Sequence, residues 1–292
     1  MERQKSSSSP TGFQVESHDD YHANPAVGSS GIRLAYQCPK KFAYRYLNDE
    51  YEDKPSKAKD FGRLMHMALL EPQRTRERIR VGPANAPRNT NIGKAKWAEF
   101  EATLKPDDIV MDAKEADVVV PMINVLMGDR HVREMLAGGV AERSGYFTDP
   151  TTGLACKFRP DYFIEQTSSF IIIDYKTGRD VSYDVFQREI HYRGYHVQAA
   201  HYLAGAKLLT GKPGIFAWIA QEKEQPCVVG IYVATDPLLE IGEYQRMKGL
   251  TTIARCWKEG YWPGYHDGPM NMAPARWAEW QQLEAEEEDL NA

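Results

Sequence analysis

The sequence predicts an α/β fold in which a central mixed sheet of about five strands is flanked by helices. Helical periodicity fills the first half of the chain, and strand patterning with tight turns begins near Ala141. Beyond Lys176, one or two helix-like stretches precede a strand pair and a long helix. The most apolar run, residues 170–175, carries Ile171, Ile172 and Ile173 in succession and reads as a strand buried on both faces. With 292 residues and 42% hydrophobic content, the chain can bury one sizeable core with extensions. Its net charge of −5 excludes a globally basic nucleic-acid binder, so any DNA contact must come from a local basic patch.

Residues 1–19 are Ser-rich and polar and read as a disordered arm. A single domain is expected over 20–270, with a helical part at 20–138 and a strand-bearing core at 139–270. Ser29 or Ser30 can cap a first helix, and Pro39 suits the first turn of a second, whose Lys40, Lys41 and Arg45 form a basic face. A helix over 60–70 carries His66 among apolar residues and should stop at Pro72. Further helices are expected near 94–104, 112–127 (with Pro121 at a kink) and 129–137. A hairpin turning on residues 149–153 follows, and folding it about Thr151 brings Glu142 opposite Pro160 and beside Asp161. After residue 176 come one or two amphipathic helices, two strands and a helix over 237–259, and residues 271–292 read as a helix with an acidic tail.

The chemistry concentrates at the end of the apolar strand, which closes on Asp174-Tyr175-Lys176. Alternation puts Asp174 and Lys176 on one side, about 7 Å apart. Folding residues 156–176 about Thr167 and Ser168 sets Asp161 opposite Asp174. Two carboxylates and an ammonium at the end of a buried sheet are costly unless something binds there, and a hard cation such as Mg²⁺ relieves the repulsion. A surface hairpin with a salt bridge is the plain alternative. Gln198 and Tyr202 lie one turn apart on a later helix, and Arg159, Arg179, Arg188 and Arg193 are candidates for phosphate contacts. His191, His196 and His201 are spaced wrongly for ligands on one helix face and read as packing or DNA contacts. The four cysteines occur singly, at 38, 156, 227 and 256, so neither a zinc site, a disulfide framework nor an iron–sulfur cluster is expected. No apolar run suits a membrane span, and the chain reads as a soluble cytoplasmic protein.

Pro160-Asp161 followed by Asp174-x-Lys176 resembles the PD-(D/E)XK nuclease superfamily. Gly62-x-x-x-His66 and Gln198-x-x-x-Tyr202 resemble the flanking motifs of its RecB-like and RecE-like members, and the run from Tyr21 to Phe42 resembles the opening of RecE-type exonucleases (exodeoxyribonuclease VIII). The resemblance covers residues 21–265 and implies a restriction-endonuclease-like catalytic core over 139–270. It implies Asp161 and Asp174 as ligands of one or two Mg²⁺ or Mn²⁺ ions, aided by the Tyr175 carbonyl, with His66 and Glu142 at the rim. Lys176 would position the attacking water. The implied activity is 5′ to 3′ digestion of double-stranded DNA ends, leaving 3′ strands for a single-strand annealing protein of the RecT type. A ring-shaped homo-oligomer is the implied assembly. An endonuclease, a helicase-associated RecB-like nuclease and a catalytically silent DNA-binding scaffold are the alternative readings.

Overall fold

In the computed structural model of the chain, residues 11–283 are described, apart from 49, 53–56, 71, 107, 267 and 277. The chain enters the fold earlier than its polar start suggests. Strand β1 (Gly12–Gln14) pairs antiparallel with residues 144–146, so the arm expected to be disordered through residue 19 is structured from Gly12. The reason is one aromatic: Phe13 packs 6.0 Å from Phe158 and 5.1 Å from Phe163, centroid to centroid. Residues 1–10 of the arm and 284–292 of the acidic tail lie outside the described residues.

Helix α1 (His18–Ala23) starts at Ser17, whose hydroxyl accepts from the Asp20 N–H. Helices α2 (Ser29–Gln37) and α3 (Pro39–Tyr46) follow, but α2 is capped by Gly28 and not by a serine side chain. Pro72 ends α4 (Lys57–Leu70) and also opens α5 (Pro72–Arg78), the first-turn position that a proline tolerates. Two short strands, β2 (Ile79–Val81) and β3 (Ile109–Met111), pair in parallel around α6 (Asn91–Glu101). Helix α7 (Ala113–Gly128) begins at a capping box of Asp112 and Glu115 and carries Pro121 inside it, and α8 (Arg130–Met135) follows.

The strand expected from Ala141 divides into β4 (Val140–Ala141) and β5 (Ser144–Thr148). Next come β6 (Ala155–Phe158), β7 (Tyr162–Glu165) and β8 (Phe170–Gly178). Helices α9 (Tyr183–Arg193) and α10 (Tyr195–Thr210) lead to β9 (Gly214–Glu222), β10 (Val229–Val233) and α11 (Asp236–Glu259). The main sheet has five strands in the order β10-β9-β8-β7-β4. Only β8 and β9 run parallel, so the sheet is mixed as expected. The β5–β6 hairpin does not join it but forms a separate three-stranded sheet with β1. Its turn is fixed by Asp149, whose carboxylate accepts from the Thr151 and Thr152 N–H groups and pairs with buried Arg246 of α11 at 3.0 Å.

Alternation along β8 divides the core between the two faces of the sheet. Phe170 and Ile172 pack with Phe216, Trp218, Val197 of α10 and Leu250 of α11. Ile173 and Tyr175 pack with Ile219, Met65 of α4 and Met122 of α7. Each fully buried side chain of this size stabilises the fold by about 1.5–3 kcal/mol. Close approach of α11 depends on Gly242 and Gly249, where a Cβ would come within 2.2 Å of the His196 carbonyl oxygen and 2.5 Å of that of Ile32. Among the described residues, no helix is long and apolar enough to cross a membrane.

Candidate active site

β8 outruns its neighbour β7. Their antiparallel pairing stops at Tyr162–Ile173, while β8 continues to Gly178 against β9 alone. On the edge thus exposed, the Tyr175 N–H donates to Asp161 Oδ2 at 2.6 Å, so a carboxylate occupies the place of the missing strand. The N–H and C=O of a strand residue leave on the same side, so the Tyr175 carbonyl opens onto this gap as well. Folding about Thr167 and Ser168 predicts this register, and the Tyr162–Ile173 pair realises it.

Asp174 and Lys176 share one side of β8, and the Lys176 ammonium pairs with Asp174 Oδ2. That oxygen is buried and has the Lys176 ammonium as its partner, whereas Oδ1 accepts from Gln198 Nε2 of α10 at 2.8 Å. From the other face of the sheet, His66 of α4 reaches Asp161 Oδ1 through Nδ1 at 2.9 Å, and its ring stands edge-on to Tyr175. The Gly-x-x-x-His and Gln-x-x-x-Tyr motifs therefore converge on the two aspartates from opposite sides.

Burial dominates the electrostatics. It pushes the Asp174 carboxyl up to about 6, helped by the Asp161 charge and opposed by Lys176. Burial also works to raise Asp161, yet His66 and Lys176 outweigh it and hold this carboxyl below its usual range. Burial would lower Lys176, but Asp174 and Asp161 together keep it firmly protonated. Tyr202 lies behind Gln198, its phenol pushed up to about 12 by burial and then by the Asp174 charge.

Two further residues pack against the side chains of the site. Tyr195, the first residue of α10, lies with its ring 4.7 Å from Lys176 Nζ. Its signal was present in the spacing, because 195, 198 and 202 share one helical face. Gln221 of β9 accepts from the Tyr175 hydroxyl at 2.6 Å and donates to the carbonyls of Met122 and Cys227. No spacing rule points to it, since its partners lie on β8, on α7 and in the connection between β9 and β10.

Two expected residues are employed elsewhere. Glu142 does come next to Asp161 through the backbone, its N–H donating to the Asp161 carbonyl at 3.0 Å. Its carboxylate, however, turns to Arg159 Nη2 at 2.6 Å. A backbone φ of 47° between β4 and β5 directs it there. Arg159 is correspondingly not a free phosphate contact, since it also donates to the carbonyls of Glu16 and Ser17 and is 10% exposed. Arg179 and Arg188 are exposed, and Arg193 is ion-paired with Glu189. His196 and His201 are buried, and Trp262 stacks on Phe42 at 5.3 Å.

Among the described residues, no three His, Cys, Asp or Glu side chains form a ready-made metal cage. The donors present nevertheless fit a hard divalent cation that keeps most of its waters. Asp161, Asp174 and the Tyr175 carbonyl present oxygens at one end of β8, and the two carboxylates lie close enough for the Asp161 charge to disfavour ionisation of Asp174. Mg²⁺ asks of a protein little more than one or two carboxylates.

The geometry agrees with what the chain is similar to. Residues 28–269 match the PDDEXK-like domain of unknown function DUF3799. A crystal structure described as a "Putative exonuclease" from Eubacterium rectale superposes with a TM-score of 0.58 at 14% identity, covering 91% of this chain and 98% of that one. At that identity the likeness concerns the fold. The structure of SSO0001 covers 80% of this chain and 78% of its own at 13% identity, with a TM-score of 0.30 that carries no argument. No curated protein matches the sequence. With the motif residues gathered at the end of a mixed sheet and most of its length matched, the chain belongs to the PDDEXK-like family DUF3799.

Proposed function

We propose that the chain is a divalent-metal-dependent exodeoxyribonuclease that digests linear double-stranded DNA from its ends, 5′ to 3′. It would leave 3′ single strands for recombination through an annealing protein of the RecT type, and would work as a homo-oligomeric ring in the cytoplasm. One observation carries the reading: Asp161, Asp174 and Lys176 meet where β7 stops and β8 continues, two carboxylates and one ammonium at the end of a buried strand. The exonuclease description of the Eubacterium rectale structure supports the choice of an end-dependent enzyme.

Asp161, Asp174 and the Tyr175 carbonyl would hold Mg²⁺ or Mn²⁺, one ion or two. Such an ion supplies an acidified water and neutralises charge on a bound phosphate. Gln198 fixes the Asp174 carboxylate through Oδ1, leaving Oδ2 to Lys176. His66 orients Asp161 in the same way and selects which oxygen faces Tyr175. Lys176, kept protonated by its acidic neighbours, donates to the phosphate oxygens and stabilises the charge that grows as the P–O bond breaks.

The test is digestion of 5′- and 3′-labelled linear duplexes with Mg²⁺, set beside a closed circular plasmid. Loss of the 5′ label first, with the circle intact, is expected. Asp174→Ala and Lys176→Ala should each lower the rate by about a hundred- to a thousandfold while remaining folded. Full activity in either variant refutes the assignment, and a cut circle would identify an endonuclease.

A further inference from the structure

Lys176 has two neighbours of different character. One is the Asp174 carboxylate, which the proposed cation must also use. The other is the ring of Tyr195, 4.7 Å away. A cation–π contact of this kind survives when the carboxylate is taken up elsewhere, because it needs no counter-charge. The ring is held firmly. Tyr195 opens α10 directly after Gly194, a left-handed residue (φ 72°) that ends α9 and starts α10. Any larger residue at 194 would meet Arg33 of α2, whose Cδ would lie 2.4 Å from an added Cβ. Arg33 also donates from Nη2 to the Tyr192 carbonyl at 3.0 Å, which clamps the corner between the helices. Behind Tyr195, Phe186 of α9 backs the ring at 6.4 Å.

We infer that Tyr195 is a positioning residue for Lys176: its aromatic face holds the ammonium at the site when Asp174 is engaged by a cation, so that the lysine is available to a bound phosphate. The inference rests on the nuclease reading for its consequence, but the contact itself can be tested in the metal-free protein. The feature that matters is the ring and not its hydroxyl, so Tyr195→Phe should preserve the effect and an aliphatic residue should abolish it. Tyr195→Leu and Tyr195→Met serve as two independent aliphatic variants.

Two readouts decide it. In protein carrying ¹³C,¹⁵N-lysine, the Lys176 ε-methylene signal is identified by its loss in Lys176→Arg. It should be shifted upfield by the ring, should stay there in Tyr195→Phe and should return to the ordinary lysine position in Tyr195→Leu and Tyr195→Met. In cleavage of linear duplex, Tyr195→Phe should match the wild type. Whichever aliphatic variant is folded should lose about three- to thirtyfold in kcat with KM unchanged, the range of one cation–π contact. Identical Lys176 shifts in wild type and aliphatic variants would overturn the inference, and so would an equal loss of kcat in Tyr195→Phe. A wild type that cleaves no DNA would instead refute the nuclease reading, with the spectral result still deciding the contact.

Discussion

Asp174 is pulled in two directions by its surroundings. Burial favours its neutral form, while Lys176 and Gln198 are placed to serve its charged form. A cation binds only the ionised carboxylate, so a proton at Asp174 competes with it. Affinity should therefore rise with pH through about 6 and level off above. His66 acts in the same direction: burial alone would lower its pKa, but Asp161 raises it, and a protonated imidazole repels an incoming cation. Calorimetric titration with Mg²⁺ should give a Kd about tenfold weaker at pH 5 than at pH 7. Equal values would mean that Asp174 is not a ligand. At this scale the sequence was informative where chemistry is local. The alternation of Asp174 and Lys176 and the arithmetic of one hairpin suffice to bring Asp161 to them. The Glu142–Arg159 pair is not legible in this way, because a positive φ aims the Glu142 side chain and Arg159 is itself held by residues 16 and 17, far away in sequence.

Among the elements, β8 is the one whose placement the site cannot do without, and its far face is secured by Gln221. This amide joins the Tyr175 hydroxyl to two backbone carbonyls in a fully buried position. Gln221→Leu keeps the volume and strands all three groups. The loss should be about 2–4 kcal/mol in chemical denaturation, well beyond a mean surface substitution. A change below about 0.5 kcal/mol would show that the network contributes little. Most helices are legible from periodicity and from start signals such as Pro39 in the first turn of α3. Strands β1, β2 and β3 were not, because three residues carry no pattern of their own and become strands only when a distant partner arrives. The same limit hid the second sheet: the β5–β6 hairpin was foreseen, but nothing in its residues says which sheet it joins.

For the whole molecule, two cores lie on opposite faces of one sheet, and α10 joins the site to the second sheet through Gln198 on Asp174 and His201 on the Lys157 carbonyl. His201 lies on that helix, fully buried, its Nε2 facing the Lys157 carbonyl at 3.1 Å. Burial, and then Arg246, pushes its pKa down to about 3. The folded state thus resists a proton that the unfolded chain accepts below about 6.5, so stability must fall as pH drops through that value. The contribution is about 2 kcal/mol by pH 5. Burial lowers His196 in the same sense, whereas His66 opposes both. Comparing wild type with His201→Gln at pH 7 and pH 5 isolates the effect, and the variant should lose measurably less on acidification. Equal losses would assign the acid sensitivity elsewhere. Fold class was readable at this level because it depends on the order of elements, which survives errors in their ends. The separation into two cores was not, since it requires knowing which face each strand presents to which helix.

The gap beside Tyr175 has a further consequence. Asp161 completes the hydrogen bonding of the central strand, and under the proposed reading the same pair of oxygens would also hold the cation. Robustness and turnover would then be coupled at a single side chain.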